Sequence, residues 1–171
     1  MSDLKSLIAE VPDFPKAGIL FRDITPVLAN PVAFNQVTDA LCGLTRLAGA
    51  THIVGIESRG FLFGVGVAQR LSLPFVPVRK PGKLPRATRR AEYALEYGTD
   101  AVEVHVDAVA PGDRVVVVDD LLATGGTAEA ACRLIEACGA HVGAVLVVIE
   151  LGALGGVERL APRPVHALLR Y

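Results

Sequence analysis

The chain has almost no net charge, with 17 Lys plus Arg against 18 Asp plus Glu over 171 residues. A protein that coats nucleic acid or an anionic membrane by bulk electrostatics needs a field of one sign, so that class is excluded and any anion site must be local. Long apolar runs are also missing. Mean hydropathy is high at +0.45, yet stretches such as VGAVLVVI at 142–149 fall far short of the roughly 20 residues that span a bilayer. The opening MSDLKSLIAEVPDF lacks the basic start and apolar centre of a secretory signal and reads as a short amphipathic helix. A cytoplasmic protein without membrane or nucleic-acid partners is expected.

Cysteine is scarce: Cys42, Cys132 and Cys138 form no CxxC, and His52, His105, His141 and His166 stand singly, without metal-ligand spacing. Cys132 and Cys138 are six apart on an expected helix, about 240° around its axis, so they cannot share a ligand. No metal centre built from protein ligands is expected. The GxxxxGK[ST] nucleotide-hydrolase motif is absent, and GFLFGVG at 60–66 has the wrong spacing for a dinucleotide fingerprint. That glycine-rich stretch reads as close helix packing.

What is present is apolar bulk. At 51% hydrophobic residues and this length, the chain can bury roughly 70% of the surface its unfolded form exposes. One domain over 1–171 is expected, without disulfides. Non-alternating, β-branched apolar runs recur at 51–56, 73–78, 115–118, 142–149 and 165–169, the pattern of strands buried on both faces. Helical patterns occupy 32–48, 61–71 and 126–138, each stopping near Gly or Pro. Strand and helix alternate, which predicts an α/β domain with a mainly parallel sheet and ligands beyond the strands' carboxyl ends. Residues 79–107 break the rhythm and read as an antiparallel hairpin, a flap whose tip carries RKPGKLPRATRR at 79–90, six of the 17 basic residues and no acid.

Chemistry concentrates in VVVVDDLLATGGTA at 115–128. A buried strand runs into Asp119 and Asp120, then a loop with Ala123, Thr124, Gly125, Gly126 and Thr127, then a helix. Glycines let backbone approach a ligand, and free amides at a helix N-terminus suit a phosphate. The dipole alone supplies only about 0.3–1 kcal/mol at an exposed site, so oriented amides and the Thr124 and Thr127 hydroxyls must do most of the holding. Carboxylates repel phosphate but accept hydrogen bonds from a sugar diol or bind magnesium. Together the segment describes a sugar phosphate; a capping and turn device without ligand is the plainer alternative.

A hydrophobic strand followed by DDLLATGGT resembles the phosphoribosyl pyrophosphate signature of the type I phosphoribosyltransferases, in the spelling of their adenine-specific branch. PDFPKAGILFRDITP at 12–26, GIESRGFLFG at 55–64, RKPGKLP at 79–85 and LEYG at 95–98 extend the resemblance over nearly the whole chain. RATRRAEYA at 86–94 is less characteristic, and Arg89 and Arg90 receive no role. The resemblance implies a parallel twisted sheet flanked by helices, with a small N-terminal hood at about 1–30 and a flexible hairpin flap at about 79–107. It implies Mg²⁺-dependent transfer of a phosphoribosyl group to adenine, giving AMP and pyrophosphate, with the metal held through substrate and water rather than directly by protein, and a homodimer.

By the same resemblance Asp119 and Asp120 hold the ribose hydroxyls, Ala123, Thr124, Gly125, Gly126 and Thr127 cradle the 5′-phosphate, and Arg59, Arg79 and Lys83 contact pyrophosphate. Glu96 and Tyr97, with Lys83, are the candidate catalytic residues, and Leu20, Phe21 and Arg22 the adenine-contacting stretch. Plainer readings stand beside these: a solvated basic loop, an ordinary charged hairpin, and a hood that simply buries Leu20 and Phe21. A different purine substrate, or a non-catalytic sensor of phosphoribosyl pyrophosphate, are the alternative functions. No aromatic residue lies within 79–90 for bases to stack on, which counts against single-stranded nucleic acid.

Overall fold

Four successive valines, 115–118, have no polar face to offer water, so they demand cover on both sides, and the strand they form is central in the computed structural model. The structure describes residues 4–94 and 98–171. These fall into two compact units, 1–39 and 40–171.

In the N-terminal unit, one 3₁₀ turn, Leu4–Leu7, precedes strand β1 (Ala9–Pro12), which pairs antiparallel with β2 (Leu20–Asp23). The expected amphipathic helix is therefore corrected: past Leu7 the segment extends, because Ala9–Pro12 takes its backbone partners from Leu20–Asp23 rather than from itself. Phe14 and Phe21 meet edge to face at 5.1 Å. Helix α1 (Thr25–Ala29) is followed by α2 (Pro31–Leu47). Asn30 caps α2, its Oδ1 accepting from Val32 and Ala33 at 3.1 Å, and Pro31 sits where a missing N–H costs nothing.

The larger unit holds five parallel strands, β3 (His52–Ile56), β4 (Phe75–Val78), β7 (Arg114–Leu122), β8 (His141–Glu150) and β9 (Val165–Arg170), in one sheet of order β4-β3-β7-β8-β9. Helix α3 (Gly60–Leu71) joins β3 to β4, and α4 (Gly126–Ala137) joins β7 to β8. A short helix α5 (Gly156–Leu160) precedes β9. Strands expected at 51–56, 73–78, 142–149 and 165–169 are all present within two residues of those bounds. The strand expected at 115–118 runs on to Leu122, so Asp119 and Asp120 lie inside β7 rather than after it.

Glycine permits α3 to pack close to the sheet. A side chain at Gly64 of α3 would come within 2.9 Å of the Phe75 ring, and one at Gly55 of β3 within 2.6 Å of the same ring. Cys132 is fully buried on α4, and burial pushes its thiol up to about 12, leaving it inert.

The hairpin is present as β5 (Thr88–Ala94) and β6 (Thr99–His105), paired in register from Thr88 with His105 to Ala94 with Thr99. Its polarity is corrected. The basic run 79–90 lies at the base of the hairpin, mostly before β5, and the opposite end is the one where Ala94 meets Thr99. Tyr93, Val102 and Val104 join the main core with Ile135 and Leu134 of α4. Among the described residues no helix is long and apolar enough to cross a membrane.

Ile135 is fully buried between the hairpin and the sheet. Ile135→Ala should therefore lower stability by about 2–5 kcal/mol in urea denaturation, and a loss below about 1 kcal/mol would show that α4 is loosely packed there.

Candidate active site

The strand order reverses between β3 and β7. After β3 the chain moves outward to β4, then returns to the other side of β3 as β7. Two loops thus diverge at neighbouring carboxyl ends and leave a crevice, where ligands of open α/β sheets bind. Here a cavity of about 310 Å³ is lined by Glu57, Ser58 and Arg59 after β3, Lys80 after β4, and Asp119, Asp120 and Thr127.

The β7 acids are held unequally. Alternation along the strand sends consecutive side chains to opposite faces. Asp120 is 7% exposed and accepts from Arg59 Nε at 2.5 Å. Asp119 turns toward the start of α3, where a side chain on Gly60 would stand 2.8 Å from Asp119 Oδ1, and the same oxygen accepts the Asp120 amide at 2.9 Å. Burial, reinforced by the neighbouring Asp120 charge, pushes the Asp119 carboxyl well above its ordinary 3.8.

Beyond β7 the loop 123–125 reaches α4 through Gly125, which adopts φ +79°, a conformation that strains any other residue. No side chain caps this helix; the first intrahelical bond runs from the Glu129 amide to Gly125 O at 2.9 Å. The amides of Gly126, Thr127 and Ala128 therefore have no acceptor within the helix. They line a smaller recess of about 100 Å³ with Asp119, Ala123 and Thr124. That recess has about a third of the volume of the crevice beside it.

The basic run is not a bare cationic patch. Arg79 donates to both Glu57 oxygens at 3.0–3.1 Å and to Lys83 O at 3.1 Å, and the Lys80 amide also donates to Glu57 at 3.0 Å. The Arg79 hydrogen bond, with lesser help from the Lys80 amide, holds the Glu57 carboxyl below the usual range. Lys80 bonds Asp100 and donates to the Tyr93 hydroxyl at 2.8 Å. Burial works to lower the Lys80 pKa, but those partners outweigh it and raise it. Arg86 pairs with Asp107 and Arg90 with Glu92. Four of the six cations thus meet carboxylates from outside the run.

The structure brings Arg59, Asp119, Asp120 and the loop 123–127 together around adjoining recesses. Arg79 and Lys83 lie on the turn after β4, with Lys80, to which the sequence assigns no role, on the crevice rim. Glu57 and Ser58 precede Arg59 at the end of β3, where the family resemblance implies a non-proline cis peptide, and the bond between them is cis. What emerges only in the fold is the hold of the Glu57 carboxylate on Arg79 and the Lys80 amide. Leu20, Phe21 and Arg22 form β2 in the N-terminal unit, where Arg22 pairs with Glu10 and Leu20 is exposed. Glu96 and Tyr97 lie outside the described residues. Among the described residues no cluster of three or more His, Cys, Asp or Glu is spaced to hold a metal ion.

A carboxyl whose folded pKa exceeds its unfolded value gives its full stability below the unfolded value and loses it as pH rises toward the folded one. Asp119→Asn keeps the neutral shape and the Oδ1 acceptor. The variant should match wild type as pH falls toward about 4 and be the more stable at about pH 8 in urea denaturation. Equal stabilities at both would show that Asp119 ionises without cost.

The phosphoribosyl transferase domain family matches residues 24–160 of the chain. An adenine phosphoribosyltransferase of Synechococcus sp. is 56% identical over 169 residues, covering 99% of both chains. The crystal structure of the adenine phosphoribosyltransferase from Thermoanaerobacter pseudethanolicus superposes with a TM-score of 0.96 at 48% identity, over 99% of this chain and 98% of that one. The Saccharomyces cerevisiae enzyme, crystallised with an imino-altritol bisphosphate and adenine, matches at 0.93 and 42% identity over 98% and 97%.

Proposed function

The chain belongs to the adenine phosphoribosyltransferases of the type I phosphoribosyltransferase family, and from that premise we infer how its residues divide the work of making AMP and pyrophosphate from adenine and phosphoribosyl pyrophosphate. This is a purine-salvage reaction. The observation that carries the assignment of roles is the pairing of two recesses at one switch point: a small one rimmed by helix-start amides, and a larger one walled by the β7 acids and Arg59.

Ala123, Thr124, Gly125, Gly126 and Thr127 seat the 5′-phosphate, since amides without helical acceptors are donors already oriented toward an anion. Asp119 and Asp120 take the ribose hydroxyls, because carboxylates accept and cannot bind the phosphate beside them. Arg59, Arg79 and Lys83 answer the pyrophosphate. As the bond to the anomeric carbon breaks, negative charge gathers on the leaving group, and fixed cations stabilise that charge more than the ground state. Arg79 also shapes the turn through Glu57, so its contribution includes presenting Lys83.

Mg²⁺ fits this donor set through the substrate. It favours oxygen ligands and keeps several waters, and Asp119 and Asp120, which wall the crevice, would accept from those waters while Asp120 stays paired with Arg59. When bound, the ion neutralises pyrophosphate charge. Leu20, Phe21 and Arg22 in the hood at about 1–30 hold adenine, with Phe21 as a stacking face. Glu96 and Tyr97 belong to the flap at about 79–107, where Glu96 handles the purine proton and Tyr97 closes the site to water that would hydrolyse the ribosyl centre. All of this belongs to one 171-residue transferase domain.

The protein is cytoplasmic and works as a homodimer. Supporting the dimer, Leu62 and Val65 stand one turn apart on α3 and are 46% and 48% exposed, an apolar face that a second copy would cover.

Incubation with Mg²⁺, phosphoribosyl pyrophosphate and each purine base should give AMP from adenine and no comparable turnover of hypoxanthine, guanine or xanthine; the reverse preference would overturn the adenine assignment. Lys83→Ala should slow turnover by about 10-fold or more while leaving adenine affinity within about twofold, and an unchanged rate at saturating substrates would remove Lys83 from the leaving-group role.

A further inference from the structure

Against the loop 123–125 the backbone of Gly156 stands so close that no side chain fits. A Cβ there would lie 2.3 Å from Ala123 O and 2.9 Å from Leu122 Cγ. The contact is reciprocal: a Cβ on Gly125 would lie 2.9 Å from Gly156 O and 3.2 Å from its Cα. Gly156 thus abuts the loop at both Ala123 and Gly125, and the nearest obstacle at each is a main-chain atom that cannot rotate aside. Gly156 is not in the left-handed region, unlike Gly125 and Gly155. Its requirement is for space alone.

The segment carrying Gly156 is anchored on three sides. The Leu151 amide donates to Leu122 O at 2.9 Å, tying the exit of β8 to the end of β7. Leu160, at the end of α5, is fully buried in the main core. Arg159 Nε donates to Glu129 Oε2 at 2.7 Å, bracing α5 against the first turn of α4. The Arg159 hydrogen bond in turn holds the Glu129 carboxyl below its usual range. A rigid backing therefore lies directly against the loop that leads into α4.

We propose that Gly156 is a positioning residue for phosphoribosyl transfer, its bare Cα fixing how deep the loop 123–125 sits and hence where the helix-start amides meet the 5′-phosphate. This rests on the reading of that loop as the 5′-phosphate seat. Alignment of donors to an anion is a sub-ångström matter, and a methyl group that must displace Ala123 O moves the loop by more than that. The cost falls on phosphate-bearing ligands. Adenine itself makes no demand on the loop.

Calorimetric titration of the full-length protein with ribose 5-phosphate and with ribose separates the alternatives. Wild type should prefer ribose 5-phosphate. Gly156→Ala should weaken ribose 5-phosphate and phosphoribosyl pyrophosphate by about 10-fold or more, since misplacements near 1 Å cost up to about 100-fold, while the adenine KM at saturating phosphoribosyl pyrophosphate stays within about twofold. Gly152→Ala in the same segment, where a Cβ meets nothing nearer than 3.6 Å, should behave as wild type. Should Gly156→Ala fail to fold, Glu129→Gln loosens the brace from outside the loop and should weaken ribose 5-phosphate by about twofold to fivefold at unchanged adenine KM. Retained ribose 5-phosphate affinity in a folded Gly156→Ala, or in Glu129→Gln, overturns the positioning role. A wild type that binds ribose and ribose 5-phosphate equally instead overturns the phosphate seat, and the positioning role with it.

Discussion

Strand β7 lies between β3 and β8, with its backbone along Val115–Val118 committed to ladders and its valine side chains cut off from water. A strand so placed cannot shift register without exposing valines or burying acids, so Asp119 and Asp120 arrive at one fixed height. The rest of the site is arranged around that height. Arg59 follows β3 and reaches Asp120, Gly60 leaves room for Asp119, and the loop leaving β7 must turn at once into α4, which only a residue tolerating positive φ accomplishes. The polar end of the strand costs stability, since burial and the neighbouring Asp120 charge push the Asp119 carboxyl well above its ordinary range. Function is the reason to keep two acids where packing alone would prefer none.

Charge is organised locally rather than globally. The near-zero balance of the whole chain conceals a basic run of six residues, and the fold supplies carboxylates to four of them. Such pairing does more than neutralise. Glu57 fixes both the Arg79 guanidinium and the Lys80 amide, so the turn presenting Lys83 is built before any substrate arrives. Lys80, held by Asp100 and Tyr93, links that turn to a cross-strand pair near the far end of the hairpin. Preorganised cations of this kind spend little reorganisation energy at the moment the leaving group departs.

Much of this is legible from residue order, because the interactions concerned are local. Non-alternating valines declare a doubly covered strand, and glycine at a strand-to-helix turn declares backbone approach. The N-terminal segment reads as a helix because its amphipathic spacing is real but short; the partners that extend it instead, with Ala9 opposite Asp23 and Pro12 opposite Leu20, lie beyond a local window. Placing the basic run at the tip of the hairpin fails for a similar reason: composition marks a loop but does not say which end of the hairpin it forms. Asp100, Gly156 and the pairing of Glu57 with Arg79 are invisible to residue order, since each acts on a partner 20 or more positions away or through the space it leaves empty. The lack of acids within 79–90 describes the sequence correctly and misleads about the electrostatics, because the neutralising carboxylates come from other segments.

The central claim is that the amides opening α4, set in place by the end of β7, seat the 5′-phosphate. A crystal structure of the protein with AMP bound tests it most directly. The account predicts phosphate oxygens within about 3 Å of the Gly126 and Thr127 amides, with the ribose hydroxyls on the β7 acids. A phosphate resting instead on the Arg79 and Lys83 turn, with the loop 123–127 making no contact, would contradict it.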